Sequence, residues 1–484
     1  MRREKDSLGE LDVPDDAYYG IQTVRCAGNY GVSDHTYSEY PEVIRAMAEI
    51  KKACALTNLQ IGALSPEKAQ AILAACDEMI AGQFNDQFPV IIWRSQGTGV
   101  NMNVNEVLAN RANEILTGHR GYDAIHPNTH VNMCQSSNDV FPTAEVIVYR
   151  RILAPLLTAA ETLEKTLEEK AVDFKYVTRL GRTGFQDALP MTWGQVFGGW
   201  QSSLQRTRRQ LQAHAESLNE CVLGATAIGT GMGQLPGYAD HIDENLSKVL
   251  GFDMHLVQMR WEVIPDSGVF DAMRNTDEQF VLMGKVKGVV AAAARIAQDL
   301  MVFGSGPRAG IGELTLAATA SGILGYPGET TNYTCEMMLD VLAEVLAAEH
   351  MVYLASAEGQ LDHSSQNSAG FITTIDAIKL ATDALTVFTR DAVAPVKVNP
   401  DVCSRNAELS TSLSTVVGSL FGYPVGTQVA KTAIREGISC KEAALRDGIL
   451  PKEICDELFD INTLVDRRAM LALFRKYANL RKVS

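Results

Sequence analysis

Four segments of the 484-residue chain concentrate residue types that bind or transform small molecules. Residues 95–106 and 126–139 are rich in serine, threonine and asparagine, and the third and fourth segments, 181–187 and 304–310, combine glycines with one arginine each. Each of the first three is predicted to precede a helix. Hydroxyl and amide groups beside the N–H donors and the positive dipole end of a helix form an anion site. These segments therefore predict a pocket for a carboxylate or a phosphate.

The same residue types also cap helices for purely structural reasons, since a serine or asparagine before a helix accepts hydrogen bonds from its first N–H groups. For any one segment, capping is the simpler interpretation. Three segments together, each denser in small polar residues than a cap requires, favour the anion pocket. The sequence contains no Walker loop, HExxH or GxSxG motif, and no GxGxxG after a strand, so it does not indicate nucleotide binding, zinc-protease or serine-hydrolase activity.

The elements that position these segments are predicted to be mostly long helices. The composition, 46% hydrophobic and 21% charged, allows a large buried core. Ser65 followed by Pro66 marks a helix start. Strand signals are few, residues 90–93 being one. Helical periodicity extends over residues 41–81, 104–116, 141–169, 197–219, 267–303, 335–356 and 375–392. Apolar helices of this length need several partners, which a helix bundle supplies.

The helical pattern breaks around residues 395–400, where two prolines interrupt it. This break predicts three domains: an N-terminal domain (1–139), a central helical bundle domain (140–393) and a small C-terminal helical domain (394–484). Residues 280–303 are apolar but carry charges, which favours a buried core helix over a membrane span.

The net charge limits the classes of partner, and the cysteines indicate the cellular compartment. A formal charge of −15 argues against binding to nucleic acid or to an anionic membrane. The nine cysteines form no CxxC pair or zinc-type cluster with histidine, so we expect free thiols in a reducing compartment and no metal. The N-terminus lacks the apolar stretch of a signal peptide. We therefore expect a cytoplasmic protein.

Several stretches of the chain resemble aspartases and class II fumarases, and the likeness extends over nearly the whole length. The stretch Asp86–Val90 is more similar to aspartase. The stretches that carry the resemblance are residues 13–20, 97–98 with 101–106, 126–142 around Ser136-Ser137-Asn138-Asp139, 181–183, 223–231 and 306–310.

The resemblance implies a mainly α, three-part aspartase/fumarase fold. Its long central bundle assembles into a homotetramer with a 20-helix core, and each active site takes segments from three chains. Members of the family carry out anti elimination on a small-molecule carboxylate without a cofactor. A base removes the proton beside one carboxylate, an enolate-like aci-carboxylate forms, and an amine or hydroxyl leaves the neighbouring carbon.

The resemblance also implies residue roles. Thr98, Ser136 and Ser137 hold the carboxylate on which negative charge develops, where such donors matter most. Asn138 contacts the leaving amine, and Thr183 touches the second carboxylate. We add Asn103 and Thr331 to the predicted substrate-binding set.

The catalytic loop departs from the family pattern Gly-Ser-Ser-x-x-Pro-x-Lys-x-Asn. An ungapped count from residues 306–310 aligns this loop with residues 322–331 and keeps Pro327 in register. Ile323 then replaces the basic serine, Glu329 replaces the lysine, and Thr331 replaces the asparagine. A shifted alignment offers Ser321 as the base but loses the proline register.

Two further departures from the family pattern also favour an altered substrate. Gly184 stands where the family has histidine or glutamine, and Met133 replaces a lysine. Two unit charges about 4 Å apart interact by about 4 kcal/mol at an effective dielectric of ~20, so Glu329 would repel a second substrate carboxylate. A substrate with one carboxylate and a larger or cationic group fits this sequence better than L-aspartate or fumarate.

The catalytic base stays open at this level. We assign Glu329 to the catalytic set, and Tyr326, Tyr333 and His363 are candidate bases, as is Cys335. Each candidate base also has a purely structural interpretation. Loop tyrosines usually pack against the protein, a cysteine is often a small buried hydrophobe, and a histidine often satisfies a local hydrogen bond.

Three functions are compatible with the sequence. The leading hypothesis is a carbon–nitrogen lyase that eliminates ammonia or a substituted amine, for example trimethylamine from a betaine such as ergothioneine. The first alternative is a catalytically inactive homologue with a structural or regulatory role. The second is ordinary aspartate ammonia-lyase or fumarase activity.

Overall fold

A computed structural model describes residues 1–29, 31–93, 97–257, 267–306, 308–321, 330–359, 361–364 and 368–480. The described chain is mainly helical, which confirms the predicted fold class. The α-helices are α1 (Ile21–Asn29), α2 (Pro41–Gln60), α3 (Pro66–Ile80), α4 (Thr98–Thr117), α5 (Ser137–Asp173), α6 (Trp193–Ser217), α7 (Ile242–Leu250), α8 (Ser267–Arg274), α9 (Asp277–Phe303), α10 (Thr334–Ala357), α11 (Ser368–Phe388), α12 (Pro400–Leu409), α13 (Ser414–Phe421), α14 (Tyr423–Glu436), α15 (Cys440–Arg446), α16 (Lys452–Leu458), α17 (Ile461–Leu464) and α18 (Arg467–Lys476).

The strands are short and pair two by two. β1 pairs with β2, β3 with β4, β7 with β10 and β8 with β9 in antiparallel ladders, whereas β5 and β6 are parallel. The strands are β1 (Arg2–Asp6), β2 (Gly9–Val13), β3 (Thr178–Thr183), β4 (Gln186–Thr192), β5 (Glu220–Cys221), β6 (His255–Leu256), β7 (Leu314–Thr315), β8 (Ala320–Ser321), β9 (Thr330–Thr331) and β10 (Lys397–Val398). No described helix is long and apolar enough to cross a membrane.

The chain divides into two compact units that interleave along the sequence. Unit 1 comprises residues 1–157, 209–288 and 343–381, and unit 2 comprises residues 158–208, 289–342 and 382–484. The predicted division into three domains stays a prediction.

Unit 1 is organised around α2, which packs against α3 and α7. Most of α2 is buried, because alanines and branched residues recur on several of its faces. The side chain of Ser65 accepts a hydrogen bond from the N–H of Lys68, which confirms the predicted start of α3 at Pro66.

Unit 2 contains the C-terminal helices and the hairpin β3–β4. Glu313 is fully buried and pairs with both arginines of β3: Arg179 Nε lies 3.1 Å from Oε2, and Arg182 Nη2 lies 2.8 Å from Oε1. Because a buried carboxylate is costly without partners, two guanidinium groups at this one side chain stabilise the hairpin.

Four local predictions are corrected. Helix α4 starts at Thr98 and not at residue 104. The predicted helix over 267–303 is broken into α8 and α9, because Thr276 followed by the acidic residues Asp277 and Glu278 is a helix-start signal. Residues 181–187 form the turn of β3–β4 and do not precede a helix directly. At 90–93 there is no ladder in the described chain, only an isolated bridge between Ile91 and Thr36.

Candidate active site

The start of α5 carries the predicted carboxylate donors, and Ser136 caps it. The Ser136 Oγ accepts a hydrogen bond from the N–H of Asn138 at 3.3 Å. The Asp139 carboxylate in turn accepts from the N–H of Ser136 at 2.9 Å, so the side chains of Ser136 and Asp139 both pair with backbone N–H groups at the start of α5. Capping thus explains part of this motif, but it uses only the oxygen lone pairs of Ser136.

Asp139 is the buried anchor of this segment. Its side chain is 0% exposed, and Oδ2 accepts from the N–H of Gly224 at 3.0 Å and of Thr226 at 2.9 Å. Burial raises the pKa of Asp139 to about 7, although its three backbone hydrogen bonds act in the opposite direction. This one carboxyl ties the start of α5 to the loop at residues 223–231 of the same unit.

The loop at 223–231 is held in a strained conformation. Thr226 has a φ of +57°, a left-handed geometry that a β-branched residue rarely adopts and that costs about 1–3 kcal/mol. Two contacts from α5 hold it: the Asp139 bond to the Thr226 N–H, and the Asn138 Nδ2, which donates to the carbonyl of Ala227 at 2.7 Å. The second contact fixes the orientation of the Asn138 amide.

A layer of amides packs against the same donors. Asn132 Oδ1 accepts from Asn101 Nδ2 at 3.3 Å, from Asn105 Nδ2 at 3.2 Å and from Lys51 Nζ at 2.9 Å. Asn101 Nδ2 also donates to Ser137 Oγ at 2.9 Å. Since this contact uses a lone pair of Ser137, it orients the hydroxyl so that its hydrogen can be donated to an anion.

The ammonium group of Lys51 contacts this layer of amides through Asn132. Its side chain is fully buried, and Nζ also donates to Gln135 Oε1 at 2.8 Å. Burial lowers the pKa of Lys51 to about 8. The ammonium group is therefore mostly charged at neutral pH, which favours an anion at the start of α5.

Thr98 is positioned next to α5 by the glycine before it. Gly97 has a φ of +71°, and a Cβ there would lie 2.5 Å from Cγ of Phe141. Only glycine allows both this geometry and this close approach. The N-terminus of α4, where Thr98 is exposed, is thereby packed against the first turn of α5.

His363 lies at the same place. Its ring forms a hydrogen bond with the backbone of Asn138. Pro142, four residues after Asn138 in α5, has no N–H to donate back along the helix, so a side-chain donor is well placed here. Burial lowers the pKa of His363, which keeps the imidazole neutral at neutral pH. A neutral imidazole can accept a proton.

Comparison with known proteins then decides the family. A family model described as lyase matches residues 9–346. This chain belongs to the aspartase/fumarase superfamily. The class II fumarate hydratase of Bacillus cereus is 35% identical over 467 residues, which are 96% of this chain and 98% of that protein. An aspartate ammonia-lyase of a Bacillus species is 34% identical over 462 residues, 95% of this chain and 96% of that protein.

Solved structures of superfamily members share the fold. A fumarate lyase:delta crystallin from Brucella melitensis, bound to cobalt, has a TM-score of 0.90 at 34% identity and covers 96% of this chain and 99% of its own. A class II fumarase from Schistosoma mansoni has a TM-score of 0.89 at 29% identity, with the same coverage. The predicted resemblance is confirmed, and the chain is a lyase of this family. Fumarate hydratase and aspartate ammonia-lyase relatives match this chain at similar identity, 35% and 34%.

The structure brings together only part of the predicted superfamily site. In unit 1, His363 lies beside the segment Ser136-Ser137-Asn138. Asn103 is instead fully buried, and its Nδ2 donates to the carbonyl of Gln87 at 2.9 Å. The roles assigned to them stay predictions.

The other candidates belong to unit 2 or lie outside the described residues. Thr183 is exposed at the end of β3, and Tyr333 is half-buried just before α10, with its N–H donating to Thr319 Oγ1 at 3.3 Å. Thr331 ends β9, and nothing is described of its side chain. Tyr326 and Glu329 lie outside the described residues. Cys335 is fully buried, in agreement with its structural interpretation.

Sequence reasoning missed the residues behind the donors. Lys51, Asn101, Asn132 and Asp139 were not singled out for a role in the site. A signal for Lys51 was available, because it is a lysine on the otherwise apolar side of a buried helix. The contact of Asn101 with Ser137 has no local signal, since the two residues are 36 positions apart.

Proposed function

We propose that this superfamily member is a carbon–nitrogen lyase that eliminates ammonia or a substituted amine from a carboxylate substrate other than L-aspartate. The observation that supports an elimination is the donor arrangement at Ser136, Ser137 and Asn138, held from behind by Asp139 and Lys51. The sequence of the loop supports the altered substrate, because Glu329 stands where relatives of this family have a lysine.

The reaction begins with the substrate carboxylate bound by the hydroxyls of Ser136 and Ser137. A base takes the proton from the adjacent carbon, and the C–H electron pair moves into the carboxylate to give the aci-carboxylate. Donors already in place stabilise this charge without reorganisation. The pair then forms the carbon–carbon double bond, the carbon–nitrogen bond breaks, and the amine leaves with its electrons. The products are an unsaturated acid and an amine.

His363 is our first candidate for the base. Its neutral imidazole lies beside Asn138, the residue to which we assign the leaving amine. Tyr326 and Tyr333 remain candidates if a neighbouring chain completes the site.

A homotetramer with sites shared by three chains is part of the proposal. The turn of β3–β4 supports it, because Phe185 is 80% exposed and has a φ of +61° there. An exposed aromatic side chain on a strained turn is typical of a segment that another chain covers. Thr183, next to this turn, would then reach the site of a neighbouring chain. Light scattering should give a tetramer, and a monomer in solution would contradict the shared site.

Ordinary fumarase or aspartase activity is the second candidate. It is favoured by the fumarate hydratase and aspartate ammonia-lyase relatives, which align with nearly the whole chain.

Ultraviolet absorbance of the newly formed conjugated acid separates the two functions. The full-length protein is incubated with L-malate, L-aspartate, other L-amino acids and betaines, including ergothioneine. We expect absorbance to rise with an amino acid or betaine other than L-aspartate. A rise with L-malate or L-aspartate alone supports the second candidate, and silence across the panel supports the inactive homologue.

The charge of the loop has its own test. Glu329→Lys should lower kcat/KM for the substrate found in the panel at least tenfold and raise activity on L-aspartate. Glu329→Gln separates loss of the negative charge from gain of a positive one. Unchanged turnover in both variants would refute the cationic-substrate argument and leave the elimination chemistry standing.

A further inference from the structure

A cavity of about 480 Å³ lies within unit 1 between the α5 turns after Pro142, the start of α9 and residues 217–222. Its volume is within the range of small-molecule sites, roughly 300–1,000 Å³. It includes none of the donors at residues 136–138. Its deepest carboxylate, Glu145, follows Asn138 by seven residues on α5, which corresponds to about 10 Å along the helix axis. Glu145 is therefore about two turns of α5 away from these donors.

Two side chains that line this cavity each carry a buried acceptor oxygen with no donor among the described residues. Glu145 and Gln279 both line it, and each is 5% exposed. Gln279 Nε2 donates to Glu145 Oε2 at 2.8 Å. The remaining oxygens, Oε1 of Glu145 and Oε1 of Gln279, have no hydrogen-bond partner in the described part of the chain. Buried acceptors are rarely left unpaired, because each costs about 1–3 kcal/mol of desolvation.

The charges around the cavity favour a cation. Glu220 and Glu278 line it together with Glu145, and no lysine or arginine is found among its lining residues within the described part of the chain. His214 Nε2 lies 3.7 Å from the Glu278 carboxylate, but burial lowers the pKa of this histidine and disfavours its charged form. Burial raises the pKa of Glu145 well above its usual range, and a bound cation would restore the ionised form.

The aromatic ring of Tyr149 adds to this preference. Tyr149 lines the cavity and is 4% exposed. An aromatic wall attracts a cation through its ring quadrupole, by about 0.5–2 kcal/mol.

We propose that this cavity binds a small organic molecule through a primary ammonium group that donates to the free oxygens of Glu145 and Gln279. An ammonium group has three N–H donors and no acceptor, which matches two acceptors that lack a donor. A calcium ion is a poorer match, because it requires six to eight oxygen ligands. The site is distinct from the carboxylate site of the proposed lyase reaction.

Isothermal titration calorimetry of the full-length protein with n-butylammonium chloride tests this site. We expect saturable binding of one molecule per chain. n-Butanol, which has the same chain without the charge, and tetramethylammonium, which has the charge without N–H donors, should each bind at least tenfold more weakly. If butylammonium does not bind saturably, or if butanol binds equally well, the proposal is wrong; neither comparison requires a variant to fold.

Variants then locate the site. Glu145→Gln keeps the shape of the side chain and removes the charge, and it should weaken butylammonium binding at least tenfold, or about 1.4 kcal/mol. Glu145→Met gives a second, apolar replacement with the same expected loss. Glu161→Gln, an exposed carboxylate on the same helix, is the control and should bind as the unaltered protein does. Equal binding by both Glu145 variants would place the ammonium elsewhere and overturn the proposal.

Discussion

The carboxylate of Asp139 accepts a hydrogen bond at 2.9 Å from the N–H of Thr226, 87 positions later in the chain. This contact holds a threonine in a left-handed conformation beside the donors at residues 136–138. A fully buried carboxylate is thus used to shape two backbone segments.

Replacement of Asp139 should change how stability depends on pH. The folded-state pKa is raised to about 7, so between about 4 and 7 the folded state keeps a proton that the unfolded state has lost. The free energy of unfolding therefore falls as pH rises through this window. Denaturant unfolding across pH should show that Asp139→Asn is less stable than the unaltered protein and lacks this part of the slope. An identical slope in both proteins would contradict the assignment.

Replacement of Lys51 should act in a different pH window. Its folded-state pKa is lowered to about 8 from the usual lysine value of 10.5, so between these values stability rises with pH. Lys51→Met should abolish this rise and should raise KM for the carboxylate substrate about tenfold, or 1.4 kcal/mol. Lys52→Met is the matched control, because Lys52 pairs with Asp77 at 2.5 Å and makes no contact with Asn132. Equal effects of both variants on KM would rule out a specific role for Lys51.

Asn101→Ala tests whether the amide layer orients Ser137. Loss of the 2.9 Å contact should lower kcat/KM by roughly tenfold to a hundredfold, since one preorganised donor is affected. Asn110→Ala is the control on the same helix: it removes a buried contact with the Tyr18 carbonyl at 2.8 Å and should lower stability with little change in kcat/KM. The proposal fails if both variants lose activity in proportion to their loss of stability.

Gly97→Ala, compared with Gly118→Ala, tests how much backbone strain and packing against Phe141 each lower the free energy of unfolding. Both terms should destabilise the protein, the left-handed φ by about 1–2 kcal/mol and the clash with Phe141 by about 1–3 kcal/mol. Gly118→Ala, at the other end of α4, has a φ of +83° with nothing within 4 Å of the added Cβ, so it shows the cost of a left-handed backbone without a clash. Its ψ of 2° is in the left-handed helical region and that of Gly97 is −30°, so this cost is a lower bound for the backbone strain at Gly97. Thermal unfolding should show a larger loss for Gly97→Ala. A difference below about 0.5 kcal/mol would mean that Phe141 yields easily.

His363→Gln tests the proposed base. The glutamine amide can still donate to the backbone of Asn138, but it cannot take up a proton. We expect kcat to fall at least a hundredfold, with little change in KM and with loss of the acidic limb of the kcat/KM pH profile. His350→Gln, on the exposed part of α10, should leave both parameters unchanged. If His363→Gln keeps its activity and its pH profile, a tyrosine becomes the stronger candidate.

Much of the fold was predictable because its signals are local. The start of α3 follows from Ser65 and Pro66, and the long helices follow from their apolar periodicity. The break at Thr276 also had a local signal, which the continuous apolar pattern on either side obscured. The hairpin β3–β4 was harder, since Arg179 and Arg182 pair with Glu313, more than 130 positions away.

The sequence by itself determined the family and the helical class, and it predicted the donor residues at 136–138, because these depend on short motifs and on periodicity. Only the tertiary structure decided which residues contact this segment from within the protein. Asp139, Lys51 and Asn101 gain their roles from partners that are distant in the chain, and the unpaired oxygens of Glu145 and Gln279 exist only where two helices meet. Burial changes the energy of a charge or an amide, and burial is a property of the folded chain.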